Sequence, residues 1–356
     1  MPHTETGLVN ISVKPILAVT MGDPAGTGAE LIAKALVLPE VREVCRPVVV
    51  GDAGCMRAAA MLTRVETEVR TIKHPSETDE ASRTIDVIDL ANVDRSTLRV
   101  AEVGAAAGQA AYEYIRRAVD LTLFHDTHAV VTSAINKAAL HAAGHHFDGH
   151  TELLAELCGK PEVTMMLVAE DLRICHVSTH VSLREAIDRV KPERILGVMR
   201  LARAGVQELG VDDPHIAVAG LNPHAGEGGL FGDEESRFIA PAIEEARAQG
   251  MRVSGPFAGD TVFFRTLQRE FDCAIAMYHD QGHVAAKMLG IWRGVNVTLG
   301  LPIIRTSVEH GTDFANAGTG RGDPRSLVQA LKLAATMAGN RLRATGSAVR
   351  KPVESR

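Results

Sequence analysis

Short apolar, β-branched runs alternate along this chain with longer amphipathic stretches, and this alternation limits the fold more than any other feature. It predicts an α/β architecture with mostly parallel sheets, because strands separated by helices are joined by crossovers rather than tight hairpins. PILAVTMG and RPVVVGD read as strands, with a helix from Ala29 to Leu38 between them. A helix is expected over Ala105–Phe124, followed by the buried strand HAVVTSA. LRICHVSTH, HIAVAGLNPH and DCAIAMYHD are three further apolar runs. VNVTLGLPIIRTS is strand-like but broken by Gly-Leu-Pro, and Ser326–Arg341 reads as the last helix. Lys73–Thr84 is polar and reads as a surface loop, and the segment from Ala344 onward as a polar tail.

The 356 residues suffice for two domains or one large one. A formal net charge of −6 argues against a general nucleic-acid binder. No apolar run approaches the ~18 residues of a membrane span, and the first residues lack a signal-peptide pattern. The expectation is therefore a cytoplasmic protein with no nucleic-acid or membrane partner. Five scattered cysteines without a CxxC pair suggest buried small hydrophobes rather than a disulfide framework or thiolate metal site. Histidine is the unusual count: 15, more than the 9 Phe, 3 Tyr and 1 Trp together. Imidazole is both the commonest metal ligand and the usual acid–base group near neutral pH.

His180, His224 and His279 each stand at or just past the carboxyl end of an expected strand. Ligands bind at that edge of an open parallel sheet, and three imidazoles with an open position suit a catalytic divalent metal. Any one of them alone could simply bond backbone; the repeated placement favours a shared site. Asp260 and Asp280 could orient such an imidazole or accept a proton, although Asp260 could equally cap a helix starting at Thr261. His150, Thr151, Lys287, Asn296 and Arg305 supply the donors a phosphate needs. Singly, Lys287, Arg305 and Lys137 read as surface charges. GDPAGTGAE follows a strand and precedes a helix, so Gly22, Gly26 and Gly28 could bring backbone close to a ligand at a helix N-terminus. It is neither GxGxxG nor a P-loop, and a purely structural turn is the equal alternative. The stretch His310–Pro324 is a second glycine-rich loop.

In this order, GDPAGTGAE, TSAINKAAL, DGHTELLAE, LNPHAGEGGLFG, MYHDQGH and RGVNVTLGLPIIRTSVEHGT resemble the 4-hydroxythreonine-4-phosphate dehydrogenase family, PdxA. The resemblance runs from about Pro15 to Leu333. It implies a two-domain α/β/α fold like that of isocitrate and isopropylmalate dehydrogenases. Residues 1–140 with 306–356 would carry most of the NAD(P) site, and 141–305 the metal and substrate residues and the dimer interface. A homodimer with its active site between subunits is implied, with the metal ligands falling on His180, His224 and His279, the last contributed by the partner subunit. Substrate contacts fall on His150, Thr151, Lys287, Asn296 and Arg305. Cofactor contacts fall on the Gly22–Gly28 turn and on His310, Gly311 and Thr312. Phe314-Ala315-Asn316 departs from the pattern of the adenine-side loop, which leaves NAD and NADP both open.

The implied chemistry is oxidation of a secondary alcohol assisted by zinc, magnesium or cobalt. Hydride passes to NAD(P), with Asp280, Asp260 or a water as base. For 4-phosphooxy-L-threonine, the product is a β-keto acid that loses CO2 to give 3-amino-2-oxopropyl phosphate. The alternative substrates are 4-phospho-D-threonate and 4-phospho-D-erythronate, and His283 resembles those branches. A terephthalate cis-dihydrodiol carries no phosphate for Arg305.

Overall fold

The computed structural model describes residues 14–79, 84–159, 161–290, 292 and 294–345. Twelve strands form one continuous sheet: β1 Ile16–Thr20, β2 Arg46–Gly51, β3 Val69–Ile72, β4 Ile85–Asp89, β5 Ala129–Thr132, β6 Thr164–Ala169, β7 Leu172–His176, β8 Ile216–Ala219, β9 Val253–Phe257, β10 Cys273–Ala276, β11 Gly294–Leu299 and β12 Ile304–Ser307. Their order across the sheet is β3-β4-β2-β1-β5-β12-β11-β6-β7-β10-β8-β9. The α/β, mostly parallel expectation holds. The three antiparallel ladders, β12–β11, β11–β6 and β6–β7, lie together in the middle. They reverse the strand direction, so β7, β10, β8 and β9 run opposite to β1–β5 and β12. The Gly-Leu-Pro break makes a hairpin between β11 and β12, turned at Gly300 with φ +93°. A division at 305/306 falls inside β12, and the sheet continues across it.

Helices form where expected, at Gly28–Ala35, Ala105–Leu123 and Arg325–Thr345. The Lys73–Thr84 segment contains a 3-10 turn at Pro75–Glu77, and its residues 80–83 lie outside the described residues, as does most of the tail. Four strands, β3, β4, β6 and β9, were not anticipated. β6 carries the unbranched run Met165-Met166-Leu167 at its centre, and β9 contains Gly255-Pro256, which reads as a breaker. None of the described helices is long and apolar enough to cross a membrane. All five cysteines are free thiols, and four are buried.

Alternating residues of β7, β8 and β10 feed two separate cores. Cys175, Ile216, Val218, Cys273 and Ile275 pack into the main cluster, which includes Ile195, Val198 and Met199 of the helix Pro192–Glu208. Ile174, Ala217, Ala219, Ala274 and Ala276 face a second cluster with Val262, Phe263 and Ala286. These come from the helices Gly259–Leu267 and His279–Lys287. The four alanines make this face shallow, so both helices sit close to the sheet.

Candidate active site

Sheet register places two of the candidate substrate residues, Asn296 and Arg305, on one face. Asn296 of β11 aligns with Leu167 of β6, which aligns with Ile174 of β7 and, beyond it, Ala274 of β10. Strand alternation puts Thr298 and His176 on the same face. Arg305 of β12 joins them there: its Nη1 donates to Thr298 Oγ1 at 2.9 Å, and Nε and Nη2 donate to Thr132 Oγ1 at 3.2 and 2.8 Å. The site is thus assembled over the middle of the sheet as well as at strand ends.

Arg305 is 2% exposed. Its three hydrogen bonds go to neutral hydroxyls, and burial pushes its pKa down to about 9, opposed only by the field of exposed Glu152. A buried guanidinium without a bonded carboxylate is the strongest sign of an anion site, because an unpaired charge is costly to bury. His150 opens the helix His150–Leu157, and Thr151 lies in its first turn. His150 Nε2 is buried without a partner, and burial together with the Arg305 charge holds its pKa well below the usual range. Asn296 Oδ1 is also buried and unpartnered. His150, Asn296 and Arg305 therefore share unsatisfied capacity in one region. Lys287 does not join them within one chain. It is exposed in the last turn of the His279–Lys287 helix, and its charge acts on Glu309, His283 and Asp280.

The three histidines follow β7, β8 and β10, which are neighbours in the sheet with parallel direction. The rings of His180 and His279 lie 5.9 Å apart. His224 lies in a neighbouring cleft of ≈ 820 Å³ with Asp260, Phe264 and Asp280. Among the described residues of the single chain, no three His, Cys, Asp or Glu side chains come together closely enough to hold a metal. Asp280 Oδ1 accepts from His279 Nδ1 at 2.6 Å. That bond holds the Asp280 carboxyl below the usual range, which suits an orienting group better than a base. Asp260 is exposed in the first turn of a helix that begins at Gly259 after Ala258, so it is not the capping residue ahead of Thr261.

His224 is presented by an unusual turn. His224, Ala225 and Glu227 have φ of 53°, 53° and 42°, alongside the left-handed glycines 226, 228 and 229. Buried Glu235 holds the turn. Its Oε1 accepts from the Leu221 and Asn222 amides at 2.8 Å each, and its Oε2 from Asn222 Nδ2 at 3.0 Å. Non-glycine residues in this region are strained, and such strain collects at functional sites.

The two glycine-rich loops form one unit. Thr312 O accepts from Thr27 N at 3.1 Å, and a Cβ on Gly26 would stand 2.9 Å from that same oxygen. A Cβ on Gly22 would meet Ala134 O at 2.4 Å, and one on Gly28 would meet Met21 O at 2.2 Å. All three glycines are thus required by backbone packing, whatever binds beyond them. Glu30 accepts from the Gly318 and Gly320 amides, fastening the second loop to the first helix. Gly311 has open space at its Cβ position, and His310 Nε2 is buried without a partner. Asp23 is 1% exposed with Oδ2 unpartnered, and burial raises its pKa to about 6.

Sequence reasoning missed His176 and Glu309 and noted His283 only as a mark of the branch. His176, the last residue of β7, is fully buried with neither ring nitrogen bonded. His283 stacks on His279 with ring centroids 3.7 Å apart and planes at 11°. Glu309 lies beyond, with Oε1 3.8 Å from His283 Nε2. Only the His279/His283 pair carried a signal, the i, i+4 spacing within one helix.

Fold and site together define an α/β enzyme that takes a small anion beside a set of imidazoles. The chain belongs to the PdxA family: the model of "pyridoxal phosphate biosynthetic protein PdxA" matches residues 43–334. It is 47% identical to the D-threonate 4-phosphate dehydrogenase of Cupriavidus necator, over 92% of this chain and 98% of that one. A solved 4-hydroxythreonine-4-phosphate dehydrogenase from Klebsiella pneumoniae is 45% identical, covering 91% of this chain and all of that one (100%), with TM-score 0.85. A terephthalate 1,2-cis-dihydrodiol dehydrogenase from Burkholderia xenovorans is 30% identical, with TM-score 0.65 over 91% and 98% of the two chains. The protein is a dehydrogenase of this family, as the motifs led us to expect.

Proposed function

We propose that the protein oxidises the secondary alcohol of 4-phospho-D-threonate with a nicotinamide cofactor and a divalent metal, giving a β-keto acid that loses CO2. Buried Arg305 carries this reading: with His150 and Asn296 it offers a charged, desolvated pocket to a phosphate. It disfavours a substrate without phosphate. The name of the C. necator relative moves D-threonate 4-phosphate ahead of 4-phosphooxy-L-threonine, which the motifs alone had placed first.

His180, His224 and His279 would hold the cation, zinc, magnesium or cobalt. The fit is chemical. The Asp280 bond occupies Nδ1 of His279 and leaves Nε2 for a ligand. When bound, the cation supplies Lewis acidity that lowers the pKa of the substrate hydroxyl, and NAD or NADP supplies the hydride acceptor. Arg305, His150, Thr151 and Asn296 fix the phosphate end. Asp280 orients His279, and Asp260, which lines the cleft with His224, would be the group to accept a proton. The Gly22–Gly28 turn and the His310–Thr312 loop would take the cofactor.

A homodimer with a shared site belongs to the same proposal. Phe264 and Val284 line the His224 cleft and are 65% and 60% exposed, and an apolar patch of this kind marks an interface. A second copy there would bring Lys287 and another histidine to a set that one chain leaves incomplete. Free thiols suit a reducing, cytoplasmic setting. The test is a dehydrogenase assay with NAD and NADP, with and without chelator. The substrates are 4-phospho-D-threonate, 4-phospho-D-erythronate, 4-phosphooxy-L-threonine and the terephthalate dihydrodiol. The first should give the highest kcat/KM and require metal; a preference for the dihydrodiol would sink the reading.

A further inference from the structure

The side chains beneath His279 form a stack that no catalytic step above uses. His283, one turn further along the same helix, lies face to face with His279, and the His176 ring lies 4.8 Å from His283 on its way into the core. His283 Nδ1 donates to the His279 carbonyl at 3.2 Å, and its ring is nearly buried, 7% exposed. His176 is held in turn by close helix–sheet packing: a Cβ on Gly282 would stand 2.5 Å from His176 Nε2 and 2.7 Å from Ile174 Cγ2.

We propose that His283, backed by His176, is a positioning residue that holds the His279 ring in one orientation and presents its Nε2. Two restraints act on that ring. Asp280 takes Nδ1 at 2.6 Å, fixing the tautomer, while the parallel His283 ring blocks rotation about the side-chain axis. Asp280 alone cannot do this, because its side chain is 78% exposed and free to follow the ring. A ligand nitrogen held ready loses less freedom on binding, and groups that orient metal-ligating histidines typically change affinity by about 10- to 100-fold.

The inference rests on His279 being a metal ligand, and the experiment separates the two. Cobalt(II) is titrated into the full-length protein and its dissociation constant read from the visible absorption. His283→Leu should weaken binding about tenfold or more. His283→Phe keeps a flat ring for stacking and should stay within about threefold of the unaltered protein. If His283→Leu does not fold, His283→Gln replaces it, an amide without a stacking ring. Cobalt binding unchanged in the Leu or Gln variant, or equally weakened in Phe, overturns the inference. Binding unchanged by His279→Ala overturns the metal assignment itself.

Discussion

Arg305 and Thr132 meet inside the sheet, two guanidinium N–H groups converging on one threonine oxygen at 2.8 and 3.2 Å. That oxygen is neutral, so the positive charge is solvated by hydroxyls alone. Replacing Arg305 with Met should leave the ligand-free protein at least as stable, because removing a buried uncompensated charge offsets the lost hydrogen bonds. Phosphate binding should suffer heavily: KM for a phosphorylated substrate should rise by ~100-fold, with little change for an unphosphorylated analogue. Thermal shift with and without inorganic phosphate, alongside steady-state kinetics, checks both parts. An equal effect on both substrates would remove Arg305 from the phosphate site.

Asp23 predicts a pH dependence of opposite sense to that of a salt-bridged carboxylate. Its pKa is raised from 3.8 to about 6, so between these values the folded state binds more protons than the unfolded one. Stability then falls as pH rises from about 4 to 6 and stays lowered above, by about 3 kcal/mol. Asp23→Asn keeps an acceptor for the Ala25 amide and should melt higher than the unaltered protein at pH 7. The gain should shrink towards pH 4. A constant gain across that range would show that the carboxyl is not the titrating group.

Gly282 tests the close packing under the candidate metal residues. Gly282→Ala would push the His279–Lys287 helix from β7, and overpacking of this kind costs about 1–3 kcal/mol. Denaturant unfolding should register that loss, and turnover should fall with it because His279 and Asp280 ride on the displaced helix. A second substitution, His176→Ala, frees one of the two clashing neighbours and should restore part of the stability, but not the turnover, because it also removes the backing of His283.

The left-handed turn at His224 predicts a stabilising mutation. Glu227 is exposed with φ 42°, so Glu227→Gly should relieve strain and raise stability by about 0.5–1 kcal/mol. Glu235→Ala should act the other way, costing about 2–4 kcal/mol as the Leu221 and Asn222 donors lose their acceptor. Melting temperatures moving in the same direction for both would contradict this account of the turn.

His224→Ala is the direct probe of the proposed ligand set. Metal content by elemental analysis and turnover should both collapse, while circular dichroism and oligomeric state remain as before, since the side chain is exposed. An active, metal-free variant would refute the assignment.

Eight of the strands were readable as continuous apolar runs, because both faces of the sheet are buried, and the long helices because burial on one face leaves a period in the sequence, as in Ala105–Leu123. The direction reversal was not. It depends on β6, whose TMMLVA has the unbranched run Met165-Met166-Leu167 at its centre, and on reading Gly300–Pro302 as a hairpin rather than a break. His180, His224 and His279 stood out as candidates because each follows its strand by a few residues. His176 and Glu309 could not. One ends a strand like any core residue, and the other reaches His283 only through tertiary packing. Arg305 looked like a surface charge because composition says nothing about which strand is central.

The reversal at β11 and β12 has a mechanical meaning. Two aligned pairs, Asn296 with Ser307 and Val297 with Thr306, hold these strands together, against four between β12 and β5 and six between β11 and β6. The sheet is a long plank with its shortest glue line near the centre, and Arg305 and Asn296 stand on either side of that line. A ligand gripped by both acts as a splint, so the stiffness of the plank becomes something the bound molecule supplies.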